Sequence, residues 1–411
     1  GLAYTIKFLW APLIDQIRVP VLAGLLGKRR AWMIVAQTAV VICLVAISFC
    51  DPHVSLMPLV ISAVALAFSA ATQDITIDAW RIEAAPKADQ GAMAAAYQLG
   101  YRFAIIASGA GALYVAQFVS WHAAYLSMAG LMILGMGATL LAPRVADSVL
   151  SVAGQAAAEA AAQRMHLTGA LGRAFVWIYR AAIAPFIDFF TTHGWTALLI
   201  LALIGLYRVP DFVMGVMANP LYIDLGFSLA EIASVVKLFG VWMTIIGALV
   251  GGIFVARFGI LHTLLVGAVG VAIGNLVFAW LATQGPHITA LTVAISSENF
   301  FGGFAGTGLI AYMSSLTSTA FTATQYALFS SFYALPGKLL GGLSGAMVDW
   351  YAAHPNIAAS IVGQDTVTAM AKTAGYVPFF ISTASMAIPA LILIFIVMRR
   401  EGDSPKAAPG H

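Results

Sequence analysis

Thr72-Gln73-Asp74-Ile75-Thr76-Ile77-Asp78-Ala79-Trp80-Arg81 closes an apolar run, Val54 to Ala71, that contains no charge. Asp74 and Asp78 are four apart, so on a helix both project from one face. Carboxylates at the end of an apolar helix are costly unless something uses them. The residues leave two readings open. Either the pair is solvated at a membrane surface, or it helps form the inner mouth of a transport path.

Composition sets the class. The 411 residues are 61% hydrophobic and 9% charged, whereas a soluble domain carries about 25% charged residues. The chain reads as an all-α, polytopic integral membrane protein. Cys43 and Cys50 are seven apart in one apolar run and share a helix face, so they read as packing residues and not as a disulfide. The His residues are scattered, with no HExxH and no cysteine cluster, so no metal site is indicated. No GxxxxGK[ST] loop occurs, which argues against an ATPase. Gly306-Thr307-Gly308-Leu309-Ile310-Ala311 matches a loose dinucleotide fingerprint, but it lies inside a transmembrane run with no strand before it. Helix packing explains it better. An enzyme, a bound cofactor and a nucleic-acid partner are all unexpected.

A transmembrane helix needs about 20 apolar residues. A partial span at 1–14 is followed by candidates at 32–49, 54–80, 91–118 and 121–142, then a polar interruption from Pro143 to Gly194. Six more follow at 195–217, 229–256, 260–281, 287–316, 321–348 and 376–398. The chain lacks an initiator Met and begins inside an apolar run. If the halves are repeats, the first helix and part of the second are expected to be missing from the front. The organisation predicted is an incomplete N-terminal bundle (1–142), a central loop (143–194), a C-terminal six-helix bundle (195–398) and a tail (399–411).

Internal similarity supports the repeat. Gly27-Lys28-Arg29-Arg30 in the first half corresponds to Arg257-Phe258-Gly259 in the second. Gln98 to Gly111 and Ser331 to Gly345 each carry a cation, Arg102 and Lys338, followed by small residues. Gly337, Gly341 and Gly345 make a small-xxx-small face suited to close helix contact. Such halves fit a transporter built from parallel repeats.

Loop cations set the orientation. One side carries Arg18, Lys28, Arg29, Arg30, Arg81, Lys87, Arg144, Arg164, Arg173, Arg180, Arg257, Arg399, Arg400 and Lys406, and the other only Lys372. The central loop and the C-terminus are therefore expected in the cytoplasm. Within that loop Ala153 to Gln163 is Ala-rich and reads as helical. Leu171 to Phe190 reads either as an amphipathic helix on the inner membrane surface or as a plain linker with some helix.

Arg102, Arg208, Asp211, Lys237, Glu298 and Lys338 fall near the middle of spans, where a charge costs roughly 2.5–3.5 kcal/mol on the lenient insertion scale. Arg208 and Asp211 can pair three apart on one helix face. Positive charge remains over, and an anionic cargo would complete the pairing; Asp74, Asp78 or water are the alternative neutralisers. The candidate cargo contacts are Arg102, Lys338, Arg208, Lys237 and Gln98. The repeat would set Arg102 and Lys338 across one central cavity. Glu298, beside Asn299, is the first candidate to carry a proton and Asp211 the second, with a structural ion pair as the alternative for Asp211. Asp74 and Asp78 are further proton candidates. Asp15, Arg29, Arg30 and Arg81 read as an inner conformational latch.

These residues carry a resemblance. Tyr4-Thr5-Ile6-Lys7-Phe8-Leu9-Trp10-Ala11-Pro12-Leu13-Ile14-Asp15, then Gly27-Lys28-Arg29-Arg30, resembles the start of an AmpG-type muropeptide permease. Ala71-Thr72-Gln73-Asp74 with Asp78-Ala79-Trp80-Arg81 is similar to that family's fourth helix. Leu206-Tyr207-Arg208 with Asp211, Val236-Lys237 and Glu298-Asn299 extend the match through the second half. The resemblance implies a major facilitator fold of two six-helix bundles related by pseudo-symmetry, in the bacterial inner membrane. It implies proton-driven import of anhydromuropeptides, N-acetylglucosamine joined to anhydro-N-acetylmuramic acid with or without peptide. That import serves peptidoglycan recycling and supplies signals for β-lactamase induction. Gln16 follows Asp15 where such transporters often have a basic residue, a departure that would weaken the latch. The expected partners are an anionic small-molecule or glycopeptide cargo and membrane lipid, and the expected state is a monomer. The alternatives are a related permease for another anion, such as a siderophore or an acyl-coenzyme A, and a membrane receptor that senses without transporting.

Overall fold

With no water in the bilayer core, each backbone amide has to find its partner within its own segment, and the helix satisfies this locally. A computed structural model describes residues 2–52, 54–145, 172, 176, 179, 183–370 and 373–403. All regular structure among them is helical. Helix α1 (Leu2–Ile6) and α2 (Ala11–Gln16) are joined by a tight turn at Lys7–Leu9, so the fragment at the front is two short helices. There follow α3 (Lys28–Ser48), α4 (Met57–Ala84), α5 (Gln90–Ile106, continued by Ala112–Phe118), α6 (Trp121–Leu141) and α7 (Ala184–His193). The second half supplies α8 (Thr196–Tyr207), α9 (Val209–Asp224), α10 (Gly240–Phe258), α11 (Ile260–Leu281), α12 (Ile288–Leu316), α13 (Thr322–Gly341), α14 (Ser344–Ala353), α15 (Tyr376–Ser385) and α16 (Ile388–Asp403).

Every span expected from the sequence is helical, and eight helical segments among the described residues are long and apolar enough to cross a membrane. Three spans are broken. Between α8 and α9 the break falls at Arg208, two residues before Pro210, which has no N–H to continue the ladder. Between α13 and α14 it follows Gly341, and between α15 and α16 it precedes Ile388 and Pro389. Wider i→i+5 turns interrupt two more, at Ala107–Gly111 and Ile232–Phe239. Such turns often lie at functional positions, and Lys237 sits on the second.

The described residues form two compact units. Unit 1 comprises Gly1–Gln90, Tyr101–Gly194 and Ser314–Ser331; unit 2 comprises Gly91–Gly100, Trp195–Met313 and Phe332–His411. Each therefore includes one short segment from the other half of the sequence. In unit 1, α3 packs against both α4 and α6, and Gln37 on α3 donates to Thr139 on α6 at 3.0 Å. Val60, Ile61 and Val64 on α4, with Ile133 and Leu134 on α6, point outward. Their apolar faces suit lipid, while Ala71, Thr76 and Ala79 on α4 and Ala124, Ala129 and Thr139 on α6 are buried. In unit 2, Tyr222, Phe278 and Phe380 meet with their rings tilted, at centroid distances of 6.2 and 5.4 Å. There α10 and α12 meet backbone to backbone: a Cβ on Gly247 would lie 2.0 Å from the Phe300 carbonyl oxygen, and one on Gly303 would lie 2.2 Å from that of Thr244. The predicted small face of α13 packs on α9, where a Cβ on Gly337 would strike Phe212 at 2.4 Å.

The repeat recurs in backbone geometry. Gly27 precedes α3 with φ 82° and ψ 161°, and Gly259 precedes α11 with φ 84° and ψ 169°. This region is essentially closed to residues with a side chain. A Cβ on Gly259 meets nothing within 4 Å, so its substitution cost is conformational alone. Gly259→Ala is expected to destabilise the protein by about 1–3 kcal/mol, read as a lowered thermal midpoint in detergent. An unchanged midpoint would contradict the strained geometry.

The Ala-rich stretch and part of Leu171–Phe190 lie outside the described residues, as do Arg164, Arg173, Arg180, Lys372 and Lys406. The described helix of the central loop is α7.

Candidate functional site

The opening stretch forms the last turns of α4, and both of its carboxylates do face one way. Lys7, at the turn between α1 and α2, pairs with Asp74 closely and with Asp78 at 3.6 Å. Arg81 stands 3.7 Å from Asp78 on the following turn. Asp78 is 3% exposed and Arg81 2%, so Asp78 is not simply solvated at the surface. Arg81 also donates to Gln90 at 3.4 Å and to the Ser314 hydroxyl at 3.1 Å, and its guanidinium lies 5.4 Å from the ring centroid of Tyr326. The two cations and two carboxylates balance in charge. Lys7 was legible as a charge within an apolar run, but nothing local marked it as the partner of residues 67 and 71 positions away.

A second cluster in unit 1 surrounds Asp15. Arg29 donates to Asp15 at 2.8 Å, and through Nε and Nη2 to Glu83 at 3.0 and 2.5 Å. Lys28 donates to the backbone carbonyl of Asp15. The other side of the carboxylate accepts from the backbone N–H groups of Ala323 and Thr324, at 3.3 and 2.7 Å, and from the Thr324 hydroxyl at 2.7 Å. Those amides belong to the first turn of α13, where N–H groups lack helical partners and favour an anion. Asp15 is thus a side-chain cap supplied from far along the chain. Arg30 stands apart from this cluster and donates to the Leu140 carbonyl at the end of α6. Arg81 belongs to the Lys7 cluster. Gln16 contributes no contact to Asp15, whose carboxylate is held by Arg29 and the start of α13. Glu83, Thr324 and Lys28 were missed as members of this cluster. Glu83 could have been suspected from its place one turn beyond Arg81's carboxylate pair.

In unit 2 the break at Arg208 aims a guanidinium at α12. Its Nε pairs with Asp211 at 2.8 Å and its Nη1 donates to the Gly302 carbonyl at 3.0 Å. Gln98 reaches the same place, since a Cβ on Gly306 would lie 2.6 Å from its amide nitrogen and 3.5 Å from Arg208 Nη1. Gln98, Arg208 and Asp211 are therefore brought together. On the same α12, Glu298 accepts from Asn299 at 3.1 Å, and Asn299 accepts from Thr244 at 2.8 Å. Lys237 and Lys338 are exposed side chains of unit 2, on the wide turn before α10 and on α13. Arg102 is half-buried on α5 in unit 1. The described residues hold no group of three or more His, Cys, Asp or Glu arranged to bind a metal ion.

Residues 1–341 match the family model described as Major Facilitator Superfamily. The Anhydromuropeptide permease of Escherichia coli K12 is 31% identical over 398 residues, covering 96% of this chain and 70% of that protein. The chain belongs to the AmpG-type permeases of the major facilitator superfamily. A second relative, Putative transporter AmpG 4 of Rickettsia felis, is 30% identical over 401 residues, 97% of this chain and 86% of that protein. Among solved structures, the proton:xylose symporter XylE bound to 6-bromo-6-deoxy-D-glucose has a TM-score of 0.61 at 16% identity, covering 96% of this chain and 84% of that one. The human organic anion transporter MFSD10 has a TM-score of 0.56 at 15% identity, covering 96% and 82%. At those identities the likeness shows the fold alone. This AmpG-type protein is a multi-pass, all-α membrane transporter, and its family consists of permeases and not enzymes.

Proposed function

We propose that this transporter imports anhydromuropeptides across the bacterial inner membrane by alternating access, driven by the proton gradient. The observation that carries the cargo is the likeness to an anhydromuropeptide permease along 96% of the chain. Charge agrees with it: Arg208 and Gln98 meet on α12, and Arg102, Lys237 and Lys338 add cations within spans, suited to a cargo that bears carboxylates. The Lys7 cluster and Glu298 supply the carboxylates that exchange protons. Loop cations favour a cytoplasmic central loop and C-terminus. Imported fragments would then serve wall recycling and β-lactamase induction.

Uptake of labelled anhydromuropeptide into right-side-out vesicles tests the proposal. Unlabelled anhydromuropeptide is expected to compete, and siderophores and acyl-coenzyme A are not. Binding without accumulation would favour a sensor instead. Within that assay, Arg102→Gln and Lys338→Gln each lose a charge-assisted contact and are expected to weaken binding of carboxylated cargo by about 10- to 150-fold. An amide analogue should bind poorly to the unmodified protein and lose much less in the variants. Equal losses for acid and amide in well-folded variants would refute the carboxylate contact.

A further inference from the structure

Gln325 lies in the first turn of α13, beside the amides that Asp15 caps, and is 2% exposed. Its side chain uses both ends of its amide. The carbonyl oxygen accepts from the Ser318 backbone N–H at 2.7 Å, closing the turn that leads into α13. The nitrogen donates at 3.0 Å to the Pro185 carbonyl and at 3.0 Å to the Asp188 carboxylate, both on α7. An apolar contact accompanies these bonds: Phe189 on α7 meets Phe329 on α13 edge to face at 5.1 Å, and both rings are buried. The start of α13 is thus gripped by Asp15 through its backbone and by α7 through one side chain.

A buried primary amide with donors and acceptor all engaged fixes the geometry of what it joins. The Asp15 carboxylate needs the Ala323 and Thr324 amides at hydrogen-bond distance and in line, and these are the two residues immediately before Gln325. We infer that Gln325 is a positioning residue for the Asp15 latch, and that α7 of the central loop is a clasp whose docking decides whether the latch can close. The central loop then does more than tether the two sequence halves: release of α7 unfastens the start of α13 from Asp15. This inference rests on the alternating-access reading for its purpose, but its contacts lie wholly within unit 1 and its test requires no cargo.

The test uses the full chain in detergent with Cys43→Ala and Cys50→Ala. Ala323→Cys, at a position 1% exposed, reports latch opening through its rate of reaction with a maleimide. Gln325→Leu and Asp188→Ala are expected to raise that rate by about 10- to 150-fold, the loss of a hydrogen bond to a charged group. Gln325→Glu alone sets two carboxylates together and is expected to raise it as much. Gln325→Glu combined with Asp188→Asn reverses donor and acceptor across that one bond while the Pro185 carbonyl still loses its donor, so the rate should fall below that of Gln325→Glu alone without returning to the starting value. Asp188 is only half-buried, so Asp188→Ala keeps the test open if Gln325→Leu fails to fold. Unchanged labelling in Asp188→Ala, or a reversed pair that labels as fast as Gln325→Glu alone, overturns the inference. A vesicle experiment in which anhydromuropeptide is not taken up would remove the proposed cargo and leave the labelling result standing.

Discussion

Asp15→Ala opens the start of α13 and raises the reactivity of a cysteine at Ala323 by roughly 150-fold or more. Asp15 is 1% exposed and sits between a guanidinium and three donors of α13. Removing one partner of a buried ion pair costs about 3–5 kcal/mol, and each 1.4 kcal/mol is about tenfold in an equilibrium. Arg29 retains Glu83 at 2.5 Å, so the guanidinium is not stranded and the lower end applies. Asp15→Asn keeps an acceptor for the Thr324 amide but loses the charge, and should fall between the alanine variant and the unmodified protein. Labelling that rises equally at a buried site remote from α13 would mean general unfolding and would count against a local latch. In the alternating-access reading, the opened variant also loses affinity for cargo offered from outside.

The second large effect concerns the pair that opened the sequence. Lys7→Gln removes the cation that pairs with both Asp74 and Asp78, and because Lys7 and Asp78 are buried the expected cost is about 3–5 kcal/mol with poor expression. Lys7→Gln with Asp78→Asn restores neutrality, and is expected to recover most of the lost stability by thermal unfolding. A double variant no more stable than the single one would show that the pairing is not what holds the cluster. Coupling is read separately: if these carboxylates exchange the transported proton, the refolded double variant exchanges labelled cargo but does not accumulate it against a gradient. Glu298→Gln in the same vesicles decides between Glu298 and this carboxylate pair, since only the residue that carries the proton uncouples uptake. Accumulation by the double variant together with loss in Glu298→Gln would assign the role to α12.

Much of this was legible. Apolar runs of spanning length located the eight described segments long and apolar enough to cross a membrane, because the bilayer forces each segment to satisfy its own backbone. The four-residue spacing of Asp74 and Asp78 marked a shared face, and helical geometry delivered both to one lysine. Arg208 and Asp211 paired as their spacing required. Gly27 and Gly259, aligned from the repeat, share one unusual backbone conformation, which shape alone demanded of each.

What escaped was of another kind. Thr324 and Asp15 are 309 positions apart, and a threonine in a Ser- and Thr-rich stretch carries no mark of its partner. Gln325 and Asp188 are a neutral amide and one acid among many; only their approach gives them a task. Arg29 and Arg30 look alike in sequence, yet successive positions on a helix point about 100° apart, so one meets Asp15 and the other the end of α6. The residues by themselves determined a many-helix membrane transporter, its family and the faces that carry charge, because period, apolar length and spacing are local properties. The partner of each charge was decided only in the tertiary structure, where segments remote in the chain are brought within hydrogen-bond reach and burial makes every unmatched charge costly.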